Sequence, residues 1–309
     1  MTLRTGVVLA ACLALAAGSL SAQQGQPSDD IVVTAQRSGA PMWTIATPRG
    51  TIVLVGEIVA VPESTPWRPE RLEDATARAQ RVILGTKAKV SPGDVLRLIF
   101  AGGRFTRLPK GTQADDYLDS GQRARLAVLE ARYEQDYARK SFLVTAFDLL
   151  ARRLGFTRDT GTDATEVVRR AARRADVPAE PVGTVRGEDM LDSLAEAPPA
   201  SHLPCLEAAM TATEQGPQLI ARRGADWRGY DVPAVMANPL EIALGRCWPW
   251  SDADVAVELR GQWAEAITRA TAADGVTLAV VPLRLLAEPD GVLDRLERQG
   301  LDIAGPVWR

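Results

Sequence analysis

The chain of 309 residues contains one histidine, His202, and four lysines: Lys87, Lys89, Lys110 and Lys140. A single imidazole cannot build a site that needs two histidine ligands. No GxSxG segment is present either, so the histidine has no nucleophile context for serine-hydrolase chemistry. His202 lies between Pro199 and Pro204 and reads as a surface or linker residue. Cysteine is scarce as well. Its three copies form no CxxC pair, which excludes a zinc ribbon. The glycines at Ala101-Gly102-Gly103-Arg104 lack the Lys-Ser/Thr ending that would make them a phosphate loop. A net charge of −3 leaves no overall field to draw nucleic acid or anionic membrane. Asp29-Asp30, Asp115-Asp116 and Glu63 are scattered, and no compact acidic cluster is visible that would hold magnesium or calcium.

What is present begins with an address. Arg4 supplies a positive start, residues 6–20 are almost wholly apolar, and Ser21 and Ala22 offer a small-residue cleavage point. This is the pattern of a secretory signal peptide over residues 1–22, and it is too short to serve as a membrane-spanning helix. No transmembrane helix is expected in the mature chain, and the location expected is periplasmic or secreted. Leu9-Ala10-Ala11-Cys12 resembles a lipoprotein box, so lipidation at Cys12 is an alternative. Removing the signal leaves Cys205 and Cys247. An even pair in an oxidising compartment reads as one disulfide, against two buried free thiols.

Residues 23–40 are polar and rich in small residues, and they are read as a flexible leader. Within it, residues 30–37 resemble the segment near the N-terminus of TonB-dependent receptors, although a β-prone stretch before the first strand is the simpler reading. The folded domain is expected over 41–309. The spacing predicts a hairpin from strands 42–47 and 51–56 around Pro48-Arg49-Gly50. A helix should open at Pro69, a strand run over 81–84, and a further helix open at Pro92. Apolar residues at helical spacing from Ser120 to Leu154 predict a long helical region broken near Ser141. Helices are also predicted over 163–175, 203–213, 252–273 and 291–299, the last stopped by Gly300, with a strand at 276–281. The fold class is α/β, with two similar sheet-containing halves at the chain ends and a largely helical middle segment.

Three stretches resemble the TraB/GumN family: Met42, Trp43, Thr44 and Ile45 with residues 51–62; residues 278–293 running on to Gly300; and Trp263. The resemblance implies two α/β halves, each presenting a GxxH motif at a strand end, with both motifs meeting in one cleft. Animal relatives in the TIKI group look like metal-dependent proteases built on that site. This sequence departs from the pattern. Gly56 is kept, but Val59 and Leu285 stand at the histidine positions, Pro282 and Arg284 replace glycines, and Gly85 and Gly183 stand where the family has glutamates. Leu259-Arg260 replaces an Arg-Asn pair before Trp263. The expectation is therefore a pseudoenzyme with no catalytic residue, no metal ligand and no cofactor, and with a binding or envelope-accessory role. The alternative is a metal-dependent hydrolase or peptidase with a relocated site. A haem carrier, as ChaN-like relatives resemble, would need His202, Met or Tyr in an apolar pocket.

If the cleft persists, Val59 and Leu285 should touch as a packed apolar junction. Glu57 and Arg284 beside them form a candidate ion pair or polar ligand clamp. Nucleic acid is excluded as a partner. An envelope protein or a peptide or glycan ligand is left open, with Cys247-Trp248-Pro249-Trp250 a candidate surface that more simply packs beside the disulfide. Arg169, Arg170, Arg173 and Arg174 read as a solvated helix side paired with acidic neighbours.

Overall fold

The computed structural model describes residues 38–89, 106–247, 249–251 and 253–309. The signal segment, most of the leader including residues 30–37, the helix expected from Pro92, Ala101–Arg104 and Trp248 lie outside the described residues. Ser38, Gly39 and Ala40, assigned to the leader, belong to the folded body. Gly39 N–H donates to the Arg228 carbonyl (3.1 Å), and Ala40 is buried.

The predicted hairpin forms from β1 (Met42–Ala46) and β2 (Gly50–Glu57), in antiparallel register with Thr44 opposite Val53. Trp43, Ile45, Ile52 and Leu54 point to the buried face, as alternation requires. Gly50 is obligatory here, because a Cβ would lie 2.1 Å from the Gly275 carbonyl oxygen. Helix α1 (Glu70–Ala77) starts after Pro69 and leads to β3 (Arg81–Leu84) and β4 (Lys87–Lys89).

The middle is helical, as expected. Helix α2 (Ser120–Tyr133) opens with a reciprocal cap between Asp119 and Gln122, and it ends at Glu134 in a left-handed conformation (φ 51°). The chain becomes helical again at α3 (Phe142–Phe147), which continues as a wider π-type turn over Asp148–Leu154. The N-cap of α3 is Ser141, at the predicted break. Helix α4 (Ala164–Arg174) is capped by Asp163. Its arginine doublets are taken up at the surface: Glu166 pairs with Arg169 and Arg170, and Glu73 pairs with Arg174.

Strands β5 (Ala179–Pro181) and β6 (Thr184–Arg186) precede α5 (Gly187–Glu196), α6 (Leu203–Gln215), α7 (Gln218–Arg228), α8 (Val232–Ala237) and α9 (Pro239–Arg246). The chain closes with α10 (Ala253–Thr271), β7 (Gly275–Pro282), α11 (Leu283–Ala287), α12 (Val292–Arg298) and β8 (Ile303–Ala304).

Strands from both chain ends meet in one six-stranded mixed sheet, ordered β5-β3-β7-β2-β1-β8. The central pairs β3·β7 and β2·β7 are parallel, and β1 and β8 add the antiparallel edge. One apolar cluster surrounds this sheet, and a second fills the helical middle around Leu129, Phe142, Met210 and Leu240. Cys205 of α6 and Cys247 after α9 are joined by a buried disulfide inside the second cluster. Among the described residues no helix is long and apolar enough to cross a membrane.

Candidate functional site

Ligands of open α/β sheets bind beyond the carboxyl ends of parallel strands. In this sheet β2 and β7 are parallel neighbours whose register pairs Gly56 with Val281 and Glu57 with Pro282. The two family-like motifs therefore emerge side by side at one edge, as the resemblance implies. Gly56 is kept for a packing reason. A Cβ there would lie 2.6 Å from Leu283 Cδ1 and 3.1 Å from the Trp43 ring. Its carbonyl accepts a hydrogen bond from Trp227 Nε1 at 2.9 Å.

The expected apolar junction does not form. Leu285, on α11, is 2% exposed in the sheet core, whereas Val59 is 62% exposed. The backbone is the cause. Ala60 takes a positive φ of 56°, and Arg223 Nη1 holds the Val59 carbonyl at 2.8 Å, so the Val59 side chain turns to water.

Glu57 and Arg284 also fail to pair, because each has a nearer partner. The Glu57 carboxylate lies at the start of α4, where Oε1 accepts from the Thr165 N–H at 3.0 Å. Burial pushes its carboxyl above the ordinary glutamate value. Hydrogen bonds from Thr165 pull back, and the charge of Asp163 pushes further up. Arg284 instead reaches Glu241 on α9, with Nη2 on Oε1 and 3.3 Å from the backbone carbonyl. The other Glu241 oxygen, Oε2, accepts from Arg223 Nε at 2.7 Å. An Arg–Glu–Arg triad thus occupies the edge, with every member buried. Burial works to raise the Glu241 carboxyl, but the two guanidiniums outweigh it and hold the group below its usual value.

The network extends outward. Arg284 and Arg260 both lie near the Trp250 ring, at 5.8 and 5.7 Å from its centre. Arg260 makes a two-point contact with Glu288 at 2.9 and 3.1 Å. Trp250, suggested as a binding surface, is thus packed against guanidiniums and held to the Cys247 carbonyl by its own N–H (3.0 Å).

The remaining motif positions offer no ligand. Gly85 follows β3 in open space, with nothing within 4 Å of where a Cβ would stand. At Gly183 the corresponding space is filled by Gln262, whose Oε1 would be 2.2 Å away. Leu259 and Trp263 are buried.

The family implies a divalent metal, and the donors at this edge do not suit one. Val59 and Leu285 carry no donor atom, both Glu241 oxygens are engaged by guanidiniums, and Glu57 caps a helix. Among the described residues no group of three His, Cys, Asp or Glu side chains is arranged to hold a metal ion.

Sequence reasoning missed Arg223 and Glu241. A signal existed for the first. Leu219, Arg223 and Trp227 recur at four-residue spacing on the buried stripe of α7, so an arginine stands where an apolar residue belongs. Glu241 gave no such signal.

A family model described as the TraB/PrgY/gumN family matches residues 41–304. No curated protein matches the chain.

Proposed function

This chain belongs to the TraB/PrgY/gumN family, and we propose that within it the protein is an exported, non-hydrolytic member that acts by binding in the cell envelope. One observation carries the reading. The edge where the family keeps its chemistry is occupied by Arg223, Glu241 and Arg284, a closed set of ion pairs with no free ligand atom. Metal-assisted hydrolysis needs an open coordination position and a water to activate. A glutamate shared between two arginines supplies neither.

Export rests on the N-terminal pattern and agrees with the disulfide. The mass of the secreted chain tests it: the mature protein should begin at Gln23, and a retained or lipid-modified Cys12 would overturn a soluble periplasmic protein. The hydrolytic question is tested separately. Protein purified without chelator should carry only substoichiometric manganese, cobalt or zinc and should not cleave unstructured peptides. The Val59→His/Leu285→His variant should stay inactive, since Val59 faces water and Leu285 faces the core. Stoichiometric metal with chelator-sensitive cleavage by the parent chain would refute the reading. Chelator-insensitive cleavage would refute it as well, and with it the metal-dependent alternative.

A further inference from the structure

Strand β7 has parallel neighbours on both sides, and such strands are ordinarily covered on both faces. Over its amino end and the adjoining antiparallel β1–β2 hairpin, far along the strands from the Arg223–Glu241–Arg284 edge, one face is left open over a groove of about 690 Å³. That volume lies within the range of small-molecule sites, roughly 300–1,000 Å³.

Strand alternation makes the floor. With Trp43, Ile45, Ile52 and Leu54 turned to the core, Met42, Thr44, Thr51 and Val53 are left on the other face, joined by Val276. These residues are half-buried or exposed, and none is charged. The segment after β8 forms one wall. It is fixed by the hydrogen bond from Trp43 Nε1 to the Pro306 carbonyl (2.8 Å), and at its rim Val307 stands 70% exposed.

The other wall is α1. Arg71, Asp74, Ala75 and Arg78 line the groove. Their spacing puts them on one helix face, with the two arginines about 10 Å apart along the axis. Among the described residues neither arginine has an ion-pair partner, whereas Glu73 on the same helix is taken by Arg174. Asp74 between them cancels one charge and leaves the wall with a net charge of +1.

We propose that this groove binds a free medium-chain fatty carboxylate, with its chain along Met42, Val53 and Val276 of the floor and its head group on Arg71 or Arg78. An uncharged floor with three apolar side chains suits an extended hydrocarbon chain, and the single net positive charge suits a monoanion better than a phosphate dianion. This inference is independent of the reading of the carboxyl edge, and metal or peptidase results do not bear on it.

Titration of the full chain with dansyl-undecanoate, followed by its fluorescence, is the test. Saturable binding is expected, displaced by dodecanoate. Dodecanol should compete about tenfold less well or worse, the cost of one lost charge-assisted contact. The Arg71→Gln/Arg78→Gln variant should weaken binding by about the same factor with an unchanged circular dichroism spectrum. Ala75→Trp, which fills the groove, should abolish binding. Absence of saturable binding overturns the proposal. So does equal competition by dodecanoate and dodecanol, or unchanged affinity in the double arginine variant, which tests the site even if Ala75→Trp fails to fold.

Discussion

Replacing Glu241 by alanine is expected to cost the protein roughly 3–5 kcal/mol, read as a drop in the urea midpoint at constant slope. Arg223 is 1% exposed and Arg284 is 8% exposed, so removing the carboxylate strands two buried positive charges. Glu241→Gln separates charge from packing. The amide keeps the volume and one carbonyl acceptor but leaves the guanidiniums uncompensated, so its loss should approach that of alanine. A glutamine variant within about 1 kcal/mol of the parent, the worth of one ordinary hydrogen bond, would show that the triad is held by shape and not by charge.

The effect has a defined pH dependence. The folded-state carboxyl is held below the ordinary value of 4.5. Between the folded and ordinary values the unfolded chain binds more protons, so the stabilisation is present above about 4.5 and is lost as pH falls through the folded value. The gap between parent and Glu241→Gln should therefore close in acid. A gap unchanged down to the acid unfolding limit would contradict the assignment.

The position of the triad explains why its removal should be felt throughout the protein. Arg223 lies on α7 between Leu219, which packs in the helical core, and Trp227, which packs in the sheet core. Glu241 follows Leu240 of the helical core, and Arg284 sits between Leu283 and Leu285 of the sheet core. The ion pairs and the bond to the Val59 carbonyl therefore fasten one hydrophobic cluster to the other along their seam.

Elements with a local cause were legible in the sequence. The β1–β2 hairpin follows from alternation around Pro48-Arg49-Gly50, α4 from its Asp163 cap, and the resumption at α3 from Ser141. Strand β7 was legible as a continuous apolar run, which its buried central place in the sheet accounts for. Helices α7, α8 and α9 were not predicted at all, since Gly216, Pro233, Asn238 and Pro239 break the stretch every few residues and leave no long periodic run. The adjacency of the two motifs was legible, and the direction of their side chains was not. Whether Val59 faces in or out depends on the positive φ of Ala60 and on Arg223, a residue 164 positions away. The Glu57–Arg284 expectation failed for a related reason. The pairing was read from the two motifs alone, whereas the competing partners, Glu241 on α9 and the Thr165 N–H at the start of α4, come from the chain between them.

Reducing the Cys205–Cys247 bridge is expected to cost about 4 kcal/mol in the chain-entropy model, given the sequence separation of 42 between the two cysteines. The bridge ties α6 to the end of α9, the helix that carries Glu241. It also fixes the Cys247 carbonyl, which accepts from the N–H groups of Trp250 and Ser251 at 3.0 and 3.2 Å. Trp250 in turn packs against Arg260 and Arg284. Loss of the bridge should therefore loosen the seam as well as lengthen the unfolded chain, and amide exchange at Cys247 and Trp250 should accelerate with it. Urea unfolding with and without reductant measures the main effect. The parent should lose stability in reductant, and Cys205→Ala/Cys247→Ala should start lower and ignore it. Alkylation of the denatured, unreduced chain should label neither residue. Because the bridge and Glu241 act on the same helix, the combined loss in a Glu241→Gln/Cys205→Ala/Cys247→Ala protein should fall short of the sum of the separate losses. Full additivity would mean that the disulfide acts on the unfolded chain alone, and a parent indifferent to reductant would remove the bridge from the account of stability.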